Sequence, residues 1–366
     1  MTPPSSERIR AVDWLRGLSV LVMIQCHALV LLRPDLRQGP ITRQLLRLDG
    51  LVAPAFLFSA GFALALLLVR GAGVGSLGQR LGRNLRRIAQ VLGVATFVNW
   101  MWFPVFREPR WLVRMDILHC VGLSLLLALP VTAGLASRPR VLRGVTLGLA
   151  LTTFFLSPLG EALGGPWATA LNKSTGAVFP LLPWLGFVWL GTYVGAVAGE
   201  RGRRGLVRSL VFVGALGCAG WLAAKPLQAL YPAHRFFVTN PSNAAERAMW
   251  VCIGLLALVA LESRVVPGGA PSRLRRFLET FGTSSLSAYV FHLTLLYVRV
   301  FGLCFEALWG NRCGWGLYAV LTGTLILLTY GLCRAFDALQ DTARRPPWGW
   351  SRLTGGGPGG KIASPR

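Results

Sequence analysis

Three of the four histidines in the chain stand in or beside long apolar stretches, where an ionisable side chain is uncommon. They are His27, His119 and His292, whereas His234 falls in a predicted loop. Imidazole gains and loses a proton near neutral pH, so a histidine within an apolar helix is a candidate general base or acyl acceptor. The alternative for each is a structural histidine that hydrogen-bonds between two helices. We therefore take His27, His119 and His292 as candidate catalytic residues.

Two carboxylates stand at the same boundaries as these histidines. Asp49 lies two residues before the apolar run that starts at Leu51, and Asp116 precedes the run that contains His119. Such a carboxylate could orient an imidazole or bind the amine or hydroxyl of a substrate. The alternative is a helix N-cap or loop carboxylate, which the helix dipole favours. Asp49 is therefore a fourth candidate catalytic residue.

A second set of candidate residues is cationic. Arg16 stands at the start of the first apolar run, and Ser285 stands at a predicted helix N-terminus with free backbone N–H groups. Three further arginines lie at the start of the third apolar run: Arg83, Arg86 and Arg87. Guanidinium groups suit a phosphate-rich ligand such as coenzyme A. The alternative is that these arginines only set topology and contact anionic lipid.

The composition indicates which elements must position these residues. Hydrophobic residues make up 53% of the 366 residues and charged residues only 14%, compared with about 25% charged residues in soluble domains. The charged residues fall between apolar runs. We therefore attribute the net charge of +24 to basic loops between membrane helices and not to a nucleic-acid-binding surface. We expect an all-α, polytopic integral membrane protein, and we exclude a soluble enzyme, a disordered chain and a nucleic-acid-binding domain.

The apolar runs predict ten transmembrane helices. They lie near residues 14–32, 51–69, 85–106, 117–135, 141–157, 177–198, 206–224, 245–262, 284–308 and 314–334. No small-x-small cleavage pattern follows the first run, so we interpret it as an uncleaved anchor. The transmembrane domain is predicted to cover residues 1–341, and the Gly- and Pro-rich residues 342–366 to form a disordered cytoplasmic tail.

The distribution of basic residues predicts the orientation. Lys and Arg on the N-terminal side of the predicted membrane number 25, against 12 on the opposite side. Because basic loops remain in the cytoplasm, both termini are expected to be cytoplasmic. We expect the protein in a bacterial cytoplasmic (inner) membrane, in contact with lipid; a homodimer is compatible with the sequence.

The seven cysteines contain no CxxC pair and no zinc-binding spacing. Most are expected to be small buried hydrophobic residues. Cys304 and Cys313 flank a short loop, so the sequence allows a disulfide between them if that loop faces an oxidising compartment.

Four blocks of sequence, in order along the chain, resemble the transmembrane acyltransferase superfamily. They are residues 10–18 running on to His27, residues 116–123, residues 179–191, and residues 285–292, the last with the pattern S-L-x-x-Y-x-x-H. The branch that they resemble is the bacterial relatives of the catalytic domain of heparan-alpha-glucosaminide N-acetyltransferase, the DUF1624 type.

This resemblance implies transfer of an acetyl or other short acyl group from cytoplasmic acetyl-CoA to an amine or hydroxyl of a glycan or similar acceptor on the opposite side. The chain departs from the family in one respect. The catalytic histidine of the human lysosomal enzyme lies in the loop after the first helix, but residues 33–50 contain no histidine here. His27 instead resembles the first-helix histidine of the acyltransferase-3 group, so we expect His27 to carry the chemistry, with Asp49 or His119 orienting it.

Two other functions use the same residues. An exporter or flippase for an anionic lipid or sugar would keep the polar cavity and the arginines without acyl chemistry. A membrane haem protein would use the histidines as axial ligands. Haem is the least favoured, because no histidines at matched depth on facing helices are evident from the sequence.

Overall fold

The computed structural model describes residues 8–72, 76–102, 106, 108, 114–165, 168–173, 177–231, 239–264 and 272–344. These residues form fifteen α-helices, one 3-10 turn at Leu29–Leu31 and no β-strand. The predicted all-α class is confirmed. Most of the predicted tail and His234 lie outside the described residues, although the last helix continues to Arg344.

The helices follow one another along the chain as α1 (Arg10–Ala28), α2 (Pro34–Arg37), α3 (Pro40–Asp49), α4 (Val52–Arg70), α5 (Leu77–Trp102), α6 (Ile117–Leu135), α7 (Pro139–Gly160), α8 (Ala168–Leu171), α9 (Leu181–Leu222), α10 (Ala224–Ala229), α11 (Pro241–Ser263), α12 (Arg273–Thr283), α13 (Ser285–Tyr297), α14 (Phe305–Trp309) and α15 (Trp315–Arg344). Every predicted apolar segment overlaps at least one of them.

Seven segments of the described chain are long and apolar enough to cross a membrane: Arg10–Leu31, Pro40–Arg70, Ile117–Leu135, Pro139–Gly160, Leu181–Leu222, Pro241–Ser263 and Trp315–Thr342. Large apolar side chains such as Val320 and Leu327 are exposed on α15, as expected for a surface that faces lipid. The chain is therefore a polytopic helical membrane protein. The count of ten crossings and the location of the termini stay predictions.

Helix α9 contains two predicted helices that are joined by a reversal of the chain. Gly202 has φ +64°, a conformation that glycine adopts without a Cβ clash. The rings of Tyr193 and Phe212 lie 6.1 Å apart, although 19 residues separate them. A straight helix would hold those residues about 28 Å apart, so the two halves of α9 form a hairpin.

The ninth predicted helix, residues 284–308, is not continuous. Helix α13 ends at Tyr297, and a turn with Phe301 at φ +51° and Gly302 at φ +82° leads to α14. A continuous apolar run does not reveal such a turn. Cys304 and Cys313 are both free thiols, so the disulfide considered above is not formed in this structure.

Close packing of α1 against α12 sets the position of the following helix, α13. A Cβ at Gly17 would overlap the carbonyl oxygen of Leu278, and a Cβ at Gly282 would overlap that of Asp13. Small residues thus allow the two backbones to approach within contact distance. Because α13 begins two residues after α12 ends, this contact also places α13 beside α1.

Candidate functional site

A cavity of about 1160 Å³ runs beside α1 and reaches polar groups at both ends. One end, called here the arginine end, contains Arg8, Asp13, Arg16, Asn84, Arg87, Thr283 and Ser285. The other, called the histidine end, contains Cys26, His27, Asp49, Arg114, Asp116 and Trp184. The wall between them is largely apolar and includes Phe56, Leu64, Val121 and Leu286. Arg16 and His27 are eleven residues apart on one continuous helix, which corresponds to about 16 Å.

At the histidine end, two of the predicted histidines contact each other. Nδ1 of His27 on α1 lies 2.8 Å from Nε2 of His292 on α13, and the ring planes differ by 6°. His292 is fully buried, whereas His27 lines the cavity. This direct contact leaves no room for iron between the rings, so the pair does not form the haem ligation considered above.

Two tyrosines that the sequence analysis did not select support this pair. The Tyr289 ring lies 5.7 Å from the His292 ring, and its hydroxyl donates to Oδ2 of Asp116 at 3.3 Å. The Tyr297 hydroxyl donates to the backbone carbonyl of His27 at 3.3 Å. The i, i+3 spacing of Tyr289 and His292 is the signal in the sequence that places both on one helix face.

Asp49 ends α3 and lies beside Cys26 in the cavity wall. The Cys26 thiol is its hydrogen-bonding neighbour, whereas no N–H or O–H group in the described part of the chain donates to either carboxylate oxygen. It stands at a helix C-terminus, where the dipole disfavours a carboxylate, so the N-cap alternative is wrong. The hydrogen-bond partner of His27 is His292 and not Asp49.

His119 lies outside the cavity. It is buried on the face of α6 that contacts α5, with Nε2 3.5 Å from the Thr96 hydroxyl. The cavity face of α6 carries Ile117, Leu118 and Val121 instead. Helical periodicity turns residue 119 away from that face, so His119 does not orient His27.

At the arginine end, two predicted residues meet across helices. Nη2 of Arg16 donates to Oγ of Ser285 at 2.6 Å. Arg87 lines the cavity, but Arg83 and Arg86 are exposed elsewhere on α5. Asn84, Arg87 and Val91 of α5 lie on one helix face, and the other two arginines fall off it. The predicted cluster is therefore divided, with one member at the cavity.

The donor groups at this end suit a phosphate-bearing substrate. Guanidinium groups bind phosphate through paired hydrogen bonds, and hydroxyl and amide groups add further donors. Arg16 and Arg87 supply the first kind, and Ser285 and Asn84 the second, since the Thr283 hydroxyl already donates to the backbone carbonyl of Glu279. The residues present thus fit a coenzyme A thioester at the arginine end.

The model of the heparan-alpha-glucosaminide N-acetyltransferase catalytic family matches residues 8–226, more than half of the chain. No curated protein matches the chain. The matched region contains Arg16, His27 and Asp49, whereas Ser285 and His292 follow it. The chain belongs to the family of the heparan-alpha-glucosaminide N-acetyltransferase catalytic domain, and is a transmembrane acyltransferase by family.

Proposed function

We propose that this acyltransferase moves an acetyl or other short acyl group from acyl-CoA, bound at the arginine end, to an amine or hydroxyl of a glycan or similar acceptor at the histidine end. The observation that carries this proposal is the single cavity that contains both ends. A thioester and an acceptor on opposite sides of a membrane must meet within the helical bundle, since the hydrocarbon core is about 30 Å thick.

The length of the cavity supports an extended donor. About 16 Å separates Arg16 from His27 along α1. The pantetheine arm of coenzyme A has about twelve bonds between phosphate oxygen and sulfur, which span about 14 Å when extended. Its methyl and methylene groups match the apolar wall between the two ends. Phosphates at Arg16 would therefore leave the thioester near His27.

The chemistry at the histidine end is a proton transfer coupled to acyl transfer. His27 takes the proton from the acceptor nitrogen or oxygen as that atom attacks the thioester carbonyl. The carbon–sulfur bond then breaks, and the proton passes from His27 to the departing thiolate, so that free coenzyme A leaves. The competing route, through an acyl-imidazole on His27, differs in releasing coenzyme A before the acceptor binds.

Asp49 is suited to hold the acceptor. Its carboxylate oxygens receive no N–H or O–H donor from the described residues, and the side chain lines the cavity beside the Cys26 thiol. An amine or hydroxyl group of the acceptor would supply N–H or O–H donors to these oxygens. The acceptor would then lie within reach of His27.

The proposed orientation places the arginine end at the cytoplasm, where acyl-CoA is made, with both termini on that side. The bias of 25 to 12 in basic residues supports it. A reporter fused after Arg366 tests it, because a reporter active only outside the cytoplasm must stay silent at that fusion.

The direct test of function uses the purified protein in lipid nanodiscs with radiolabelled acetyl-CoA. Acceptors are an amino sugar, its N-acetylated form and a sugar with hydroxyl groups only. We expect labelled product together with free coenzyme A, at rates well above those of a His27→Ala protein. Absence of transfer to every acceptor, accompanied by movement of a labelled glycan or lipid across liposomes, would establish the exporter instead.

A further inference from the structure

The second imidazole of the histidine pair is tied to the backbone of its own helix. Nδ1 of His292 lies 2.7 Å from the carbonyl oxygen of Ala288, one turn earlier in α13. A carbonyl oxygen only accepts hydrogen bonds, so Nδ1 of His292 must carry the hydrogen. In the neutral ring, Nε2 of His292 is then a lone-pair acceptor.

This assignment determines the tautomer of His27. Nε2 of His292 faces Nδ1 of His27 at 2.8 Å with the rings nearly coplanar, so Nδ1 of His27 must donate. The neutral His27 ring therefore carries its lone pair on Nε2. That nitrogen makes no hydrogen bond with the described residues, and His27 lines the cavity. His292 does not line it.

We propose that His292 is a positioning residue, which holds His27 in the Nδ1–H tautomer so that the basic lone pair on Nε2 is presented to the cavity. The inference rests on the proposed function for its catalytic consequence, but the tautomer itself is a property of the resting protein. A free imidazole in water populates both tautomers. Without His292, part of the protein population would present an N–H at Nε2 of His27 to the cavity instead of a lone pair, and the hydrogen bond to His292 prevents this.

The same chain of hydrogen bonds limits where the proton goes. When Nε2 of His27 takes a proton from the acceptor, the imidazolium still donates through Nδ1 to His292. The Ala288 carbonyl at the end of the chain cannot accept a proton. His292 therefore cannot pass it on through that carbonyl, and the proton remains on the histidine pair until the thiolate leaves. Asp116 lines the same cavity and supplies a nearby negative charge.

Two substitutions separate positioning from helix packing. In His292→Gln, the amide oxygen can replace Nε2 as the acceptor for His27 Nδ1–H. In His292→Leu, the side chain fills similar space without an acceptor. Nitrogen-15 spectra of histidine-labelled protein in detergent report which ring nitrogen carries hydrogen, and His27→Ala and His119→Ala proteins assign the signals.

We expect the parent and His292→Gln to show His27 protonated on Nδ1 with a lone pair on Nε2, and His292→Leu to lose that preference. In acyl transfer, His292→Leu should lower kcat about tenfold or more, as expected when a catalytic histidine loses the partner that sets its tautomer. The KM for acetyl-CoA should not change, and His292→Gln should recover most of the kcat.

Hydrogen on Nε2 of His27 in the parent protein would overturn the inference. The inference would also fail if His292→Gln had as low a kcat as His292→Leu, provided that both proteins match the parent in gel-filtration elution and in thermal unfolding. The spectra need no turnover, so a protein with the expected tautomer that transfers no acyl group to any acceptor would refute the proposed function and leave the tautomer assignment in place.

Discussion

The two ends of the cavity are built from the same pair of helices but offer different chemistry. At the arginine end, Arg16 of α1 donates to Ser285 of α13, and at the histidine end His27 of α1 meets His292 of α13. The first pair is cationic and retains donors for an anion. The second is a pair of neutral rings with one lone pair toward the cavity. A permanent charge suits binding, and a neutral imidazole suits proton transfer.

An apolar wall separates the two ends, so binding and chemistry should be separable by mutation. Each end also takes one residue from the family-matched region and one from beyond it. A substitution at one end should therefore change the kinetic parameter that depends on that end and leave the parameters of the other end unchanged.

The largest effect is expected at the histidine end. Replacing His27 by alanine should lower kcat for acyl transfer by about a hundredfold or more, the scale of a lost general base. Acetyl-CoA affinity, measured by calorimetry, should stay at the parental value because the arginine end is intact. A His119→Ala protein is the matched control and should transfer within about twofold of the parent. If His27→Ala transferred acyl groups at the parental rate, the histidine end would have no part in the mechanism.

At the arginine end, Arg16→Gln should weaken acetyl-CoA binding by about tenfold to a hundredfold, since a charged hydrogen bond contributes about 1.5–3 kcal/mol. The rate at saturating acetyl-CoA should remain near that of the parent. Arg10→Gln is the control, because Arg10 is an exposed residue of the same helix that does not line the cavity. Unchanged affinity in Arg16→Gln would contradict a donor site at this end.

The Asp49 carboxylate, which receives no N–H or O–H donor from the described residues, should affect binding of the acceptor alone. Asp49→Asn keeps the shape but removes the charge, and we expect the KM for an amine acceptor to rise about tenfold while that for acetyl-CoA stays constant. Asp35→Asn is the control, since Asp35 is an exposed carboxylate paired with Arg33. An equal rise in the KM of both substrates would show that Asp49 supports the fold rather than the acceptor.

The smallest effect on acetyl-CoA binding is expected for the arginines of α5, and it should differ between Arg87 and the other two. Arg87→Ala should weaken acetyl-CoA binding only a few-fold, because exposed charges contribute about 0.2–1 kcal/mol. Arg83→Ala and Arg86→Ala should have no measurable effect on that affinity. A variant with all three arginines replaced by alanine should bind acetyl-CoA as tightly as Arg87→Ala alone. Weakening by Arg83→Ala as large as by Arg87→Ala would mean that the whole cluster attracts the donor, independent of the cavity wall.

Hydropathy predicted the helices well because burial in lipid demands continuous apolar runs. It did not reveal the end of α13 at Tyr297 or the turn at Phe301 and Gly302, since all of these residues are compatible with an apolar run. It also grouped Arg83, Arg86 and Arg87, which follow one another in the chain but do not share a face of α5. Local composition predicts that a helix exists more readily than which face meets its neighbours.

The sequence by itself determined the all-α membrane class, the presence of Arg16 and His27 on one helix, and hence the distance of about 16 Å between them. Only the tertiary structure decided their partners. Ser285 and His292 lie 269 and 265 residues away along the chain, and the contact of Gly17 with α12 brings their helix beside α1. A hydrogen bond requires its two groups within about 3 Å, and for distant residues that depends on how helices pack, which local sequence patterns do not encode.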